Sequence, residues 1–269
     1  ENSKNVVNVV GTKVRLDGLV IKGAFNRGDY SSHETGSPLS IASVNEVTLN
    51  HLVLTGNRTL SGCVINSLSK RTLAHQVTVH KNLVHIRFSL IYLDSGEENF
   101  TNTWSQLRIT DNYSGILDTP NFGYNDTGIL QVRNQRLQLV NAQFSKNYIT
   151  NYPADSRLNR GLFTLENVEL SLVNSLVYRN EGPDLIHSTS SSTRLLNTSL
   201  LYNYMTHPSN ADSGNNISAY NSIVLYNSAA TPTPVISTIT AKNSLIQGVA
   251  PSAENGLLDG TQQIDLSLF

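Results

Sequence analysis

The sequence predicts an all-β chain wound as a parallel β-helix solenoid, about nine coils of three short strands each. Three observations predict it. One polar–apolar phrase recurs every 22–35 residues. Apolar residues alternate with period two on the approach to most recurrences. No stretch carries the 3.6-residue periodicity of a helix, and Gly, Asn and Ser punctuate the chain too often for one.

The phrase is clearest in VNSLVYRN (173–180), LNTSLLYN (196–203) and YNSIVLYN (220–227). Written N-x-x-Φ-x-x-N/G, with Φ apolar, it fits at Asp17/Val20/Gly23, Asn50/Val53/Gly56, Asn141/Phe144/Asn147, Asn174/Val177/Asn180, Asn197/Leu200/Asn203 and Asn221/Val224/Asn227. Looser copies begin at Gln76, Gln106 and Asn243. Val14/Leu16, Val47/Leu49, Leu137/Leu139, Val168/Leu170 and Ile217/Ala219 precede their anchors as alternating pairs, the signature of a strand with one buried face. The Φ residue marks a second strand. Upstream bursts such as SPLSIAS, SGCVIN, TGILQV, RGLFTL and PDLIHS mark a third. A propeller blade needs about 40–45 residues, more than the late units contain. Stacked coils of roughly 22 residues fit, because each then hides its apolar face against its neighbours.

Coils stacked about 4.8 Å apart bring the same corner residue directly above itself. The first Asn of each phrase is therefore expected to point inward, donating to one coil's carbonyl and accepting from another coil's amide. Buried corner backbone needs such partners. The competing reading is an exposed turn residue, a role Asn also suits. Asn197 is expected among the buried amides. Asp17, which accepts but cannot donate when ionised, is expected near an end or facing water.

The layout of Val-x-Leu, then Asn, then a short apolar strand resembles the right-handed parallel β-helix superfamily that includes pectate lyases. The closing NSLIQG (243–248) and IDLSLF (264–269) resemble the last rungs of bacterial, Bacteroidetes-type surface β-helix proteins, although Ser267 stands where proline is usual. The resemblance implies a right-handed coil, an extracellular or cell-surface location, and an anchoring segment beyond this stretch.

Composition bounds the function. Net charge is −1 and only 14 % of the 269 residues are charged, against roughly 25 % in an average domain. No basic field argues for nucleic acid. Asparagine, at 31 residues, supplies polarity instead. Cys63 is the one cysteine, which removes disulfide scaffolds and multi-cysteine metal sites; beside Val64 it reads as a buried hydrophobe. No apolar run is long enough to span a membrane and no signal peptide opens the chain. Residues 1–269 read as a single domain, mature or cut from something longer.

Surplus length in the longer coils must leave the stack as loops, expected at 24–37, 94–104, 118–127, 148–160 and 204–215. Loops on rigid scaffolds commonly carry function. Trp104, Tyr124, Tyr152 and Arg157 are the expected binding residues, the rings as sugar platforms; Trp104 reads equally well as a core plug. Arg27, Gly28 and Asp29 spell an integrin-type tripeptide, too short to carry weight. For chemistry, the candidates are Arg133, Glu166 and His187, placed on successive coils where a base, an acid and a charge stabiliser would meet. No Asp-Asp pair or G-H-G is present, and the carboxylates are scattered, unlike the paired carboxylates of glycoside hydrolysis. No metal site or cofactor is expected. The reading is a non-catalytic, adhesin-like binding protein for a polysaccharide or a surface protein, with a polysaccharide lyase using calcium as the alternative.

Overall fold

The fold is that of a computed structural model, which describes residues 6–26, 36–42, 44–60, 62–85, 89–96, 100–115, 128–149, 161–205, 216–225, 239–246 and 252–257. Within them the chain is all-β, with no helix, and every strand-to-strand pairing is parallel. The strands stack into long ladders, consistent with a solenoid-like fold. The first ladder runs from Val7–Val9 through Leu39–Ala42, Ile65–Leu68 and Ile91–Asp94 into the opening halves of Gly128–Val140 and Gly161–Val173, and on to Asp184–Thr189. The second begins at Lys13–Asp17 and ends at Ile239–Lys242. The third begins at Val20–Lys22 and ends at Leu245–Ile246.

A fourth ladder lies beyond the expected three. It stacks pieces of two or three residues, from Phe25–Asn26 to Tyr204–Met205. Strands this short place a single side chain inward, such as Thr59, Val84, Ser114 or Ile149, so no alternation betrays them in sequence.

The inward amide ladder exists, but on the other asparagine of the phrase. Asn141, Asn174, Asn197, Asn221 and Asn243, expected inside, are exposed. They occupy the corner between the second and third ladders, in register with Gly18, His51, Gln76 and Gln106, and the whole column has φ between 47° and 68°. That left-handed turn throws the side chain outward, and Asn and Gly accept it at low cost. Asp17, just before this corner, faces water as expected. It binds His51 and Arg15, and those hydrogen bonds, His51's first, hold its carboxyl down at about 2.

The buried ladder runs one corner later, through Asn57, Asn82, Asn112, Asn147, Asn180 and Asn203. Each Oδ1 accepts the backbone N–H of the coil before it, from Ala24 N to Asn57 at 2.9 Å through to Asn180 N to Asn203 at 3.2 Å. Each Nδ2 donates back to the strand carbonyl of the preceding coil, as Asn147 does to Ile109 at 2.9 Å. Hydroxyls do the same work at the exposed-Asn corner of the later coils. Ala142 N donates to Ser175 Oγ at 3.1 Å, Thr198 N to Ser222 at 3.2 Å and Ser222 N to Ser244 at 3.1 Å.

The core lies between the ladders. Its largest fully buried side chains include Trp104, Phe144 and Phe163. Phe144 and Phe163 meet edge to face with centroids 4.8 Å apart, a favoured aromatic geometry. Cys63 is fully buried, and burial raises its thiol pKa far above the ordinary value. The thiolate is the reactive species. Cys63 is therefore expected not to react with an aromatic disulfide reagent until the protein unfolds, and stoichiometric labelling under native conditions would contradict that packing.

Candidate functional site

Period-two alternation turns every second residue of the first ladder away from the core, yet Ser40, Asn66, Tyr92, Gln131 and Thr164 are at most 5 % exposed. Two columns result, fixed by register. One is Ser40, Asn66, Tyr92, Gln131, Thr164 and His187. The other closes with Asp94, Arg133, Glu166 and Thr189. Across the last three coils of this ladder a groove of about 300 Å³ opens between them, lined by Gln131, Arg133, Thr164, Glu166, His187 and Thr189.

Arg133 and Glu166 are direct register partners, and their Nε and Oε2 are 2.8 Å apart. The expected stripe is half realised. His187 lies opposite Thr164 rather than Glu166, so it occupies the neighbouring column and joins the other two only as a wall of the same groove. Its Nδ1 stands 3.2 Å from Asp184 Oδ2, and Asp184 is buried. The strand beside it needs glycine at Gly161, where a Cβ would stand 2.8 Å from the Phe163 carbonyl oxygen and 3.0 Å from the His187 backbone nitrogen.

Farther up the columns, the Arg133 guanidinium lies over the Tyr92 ring, 5.9 Å from its centroid. The Tyr92 hydroxyl donates to Asp94 Oδ2 at 3.1 Å, and Asp94 also receives Gly96 N and Asn134 Nδ2. Burial, with the Asp94 charge behind it, pushes the Tyr92 phenol up to about 12. Tyr92 is therefore a neutral phenol at physiological pH, its O–H donating to Asp94. The carboxylates here are engaged with a cation, a ring nitrogen or an amide. What remains in the groove is an aligned hydroxyl, amide and imidazole: Thr164 and Gln131 are buried, Gln131 Oε1 already accepts Ser89 Oγ at 3.2 Å, and the half-buried His187 keeps Nε2 for a hydroxyl-rich ligand.

Trp104 is fully buried, in register with Ala74 and Leu139 on the inward face of the second ladder. It is the core plug of the two readings, and its ring cannot serve a surface ligand. Tyr124, Tyr152, Arg157 and the 27–29 tripeptide lie outside the described residues. Among the described residues, no group of three or more His, Cys, Asp or Glu is arranged to hold a metal ion, and no helix is long and apolar enough to cross a membrane. Sequence reasoning missed Tyr92, Asp94, Gln131, Thr164 and Thr189. For Gln131, Thr164 and Thr189 the signal was present, two residues from Arg133, Glu166 and His187 on the same strands.

Neither a protein-family profile, nor a curated protein, nor a solved structure matches the chain.

Proposed function

We propose that this chain is a right-handed, pectate-lyase-like parallel β-helix of about nine coils that works as a non-catalytic binding protein outside the cell or at its surface. Its ligand is a glycan, read along the outward face of the first ladder. One observation carries the reading: the groove at Gln131, Thr164 and His187 repeats hydrogen-bonding groups once per coil, while its charged members are already paired with one another. A coil rise of about 4.8 Å is close to the length of one sugar unit, so an extended polysaccharide meets the same row of donors and acceptors at each residue. Extracellular placement rests on the resemblance of the closing rungs to bacterial surface proteins.

A glycan array is the direct test. Wild-type protein is expected to retain a defined subset of polysaccharides, and the double variant Gln131→Ala/His187→Ala to lose them by about tenfold or more, as removal of two hydrogen-bonding groups implies. Binding unchanged in that variant, or no glycan bound, would overturn the assignment.

The second reading, a polysaccharide lyase, is favoured by Arg133 standing in the same groove as His187 and Glu166. Its signature is ultraviolet absorbance from unsaturated sugar ends on incubation with alginate, pectin or chondroitin in calcium. A flat trace across that panel is expected from a binding protein.

A further inference from the structure

Arginines on the first two ladders have partners. Arg15 stands 2.7 Å from Asp17, Arg71 3.2 Å from Glu46, Arg133 2.8 Å from Glu166 and Arg136 3.1 Å from Glu169. Arg194 lies over the Tyr220 ring at 5.3 Å. The third ladder and the corner after it are different. Lys81, Arg108, Lys146 and Arg179 are exposed there, one on each of four consecutive coils. Among the described residues none of the four forms an ion pair. The acids on this face are Asp111, which meets His80 at 3.6 Å, and Glu181. By register Lys81, Lys146 and Arg179 share one corner column with Asp111, which holds the rung between Lys81 and Lys146, and Arg108 stands three residues before that column on its strand. This strip thus carries four cations against two acids, and Arg108 is the one of the four that lines a concavity.

Beside the strip lies a second concavity, of about 420 Å³, lined by Gln76, Thr78, Gln106, Arg108, Asn141 and Gln143. The left-handed corner that displaced the amide ladder builds it, because that turn is what aims Gln76, Gln106 and Asn141 outward. Arg108 and Gln143 come from paired positions on adjacent strands of the third ladder. A guanidinium without a carboxylate partner offers a fork that fits an oxyanion with two parallel hydrogen bonds. Four amides and a hydroxyl around it supply donors and acceptors for neutral hydroxyls.

The geometry points to a second ligand site on this face, for a glycan bearing sulfate or carboxylate groups, with Arg108 holding the anionic substituent and the amides reading the sugar. Lys81, Lys146 and Arg179 extend the attraction along the coil axis. Single-stranded nucleic acid is the poorer fit, because it needs ring faces on which bases stack. The neighbouring rings, Tyr113 and Tyr148, are stacked on each other, 5.2 Å apart at 22°. The inference rests on the glycan-binding reading but uses a different face, so the two fail separately.

The test is calorimetric titration with chondroitin sulfate, unsulfated chondroitin, neutral dextran and a single-stranded oligonucleotide. One or both anionic glycans are expected to bind, with affinity falling as salt rises, and the pair separates sulfate from carboxylate as the recognised group. Arg108→Ala is expected to weaken that binding about tenfold or more, while Arg108→Lys keeps part of it. Gln106→Ala with Gln143→Ala weakens glycan binding and leaves any oligonucleotide binding alone. All three positions are at the surface, so unchanged melting temperatures show that folding is intact. Affinity for anionic glycans unmoved by Arg108→Ala overturns the site, as does equal retention of the oligonucleotide that ignores the amide variants. Loss through Gln131→Ala/His187→Ala alone would leave only the first groove standing. No glycan bound by either face would sink both assignments.

Discussion

Replacing Asn147 with leucine is expected to destabilise the protein by about 3 kcal/mol, the sum of one orphaned buried donor and the other hydrogen bonds lost. The side chain is buried at the third-to-fourth corner. Its Oδ1 accepts both Asn112 N at 3.2 Å and Asn112 Nδ2 at 3.0 Å, and its Nδ2 donates to Ile109 O and to Asn180 Oδ1. Leucine matches the volume but offers nothing to the N–H of the buried Asn112. The comparison that isolates the ladder is Asn174→Gly, at the exposed corner where φ is 49°. Glycine is at home in that conformation, so this variant is expected within about 0.5 kcal/mol of wild type. Denaturant titration of both variants decides the matter. Equal effects, or a larger loss at Asn174, would place the stitching between coils on the wrong column.

Trp104→Ala is expected to cost about 3–5 kcal/mol, the range for truncating a buried large aromatic. The indole fills the space next to Ala74 in one neighbouring coil and packs against Leu139 in the other. Alanine in both Ala74 and position 104 would leave adjacent rungs without a filling side chain. A milder substitution discriminates between volume and hydrogen bonding. The indole Nε1–H is buried and has no hydrogen-bond partner. Trp104→Phe removes that unmet donor along with part of the ring, so it is expected to cost about 1.5 kcal/mol or less. Glycan binding should survive Trp104→Phe unchanged. Lost binding in a variant that melts normally would return Trp104 to the surface role.

Both expectations depend on which side of the ribbon a residue faces, and the sequence carried that information unevenly. Pairs such as Val47/Leu49 and Leu137/Leu139 announce their inward face through period two, and the structure buries all four. Cys63 was legible from its place beside Val64 in an apolar burst, and it is fully buried. Arg133 beside Glu166 was half legible: both occupy outward positions, but the offset of His187 depends on a register that only the pairing of Asp184–Thr189 with Gly161–Val173 sets. Tyr92 and Asp94 escaped notice because nothing in the chain says that their strand pairs beside Gln131 and Arg133.

The recurrence by itself determined that this chain is built from stacked parallel strands, because a 22-to-35-residue unit with alternating apolar residues cannot bury its face alone. Two asparagines per phrase also told of amides at corners. Which of the two turns inward was decided by tertiary structure. A left-handed residue reverses the side on which the chain presents its next side chain, and sequence spacing does not record φ. One clue was available: the inward column reads Asn without interruption from Asn57 to Asn203, whereas the outward column accepts Gly18, His51, Gln76 and Gln106. A buried amide has to complete hydrogen bonds above and below and tolerates no substitute, while a solvated corner asks only for a residue that bears a positive φ.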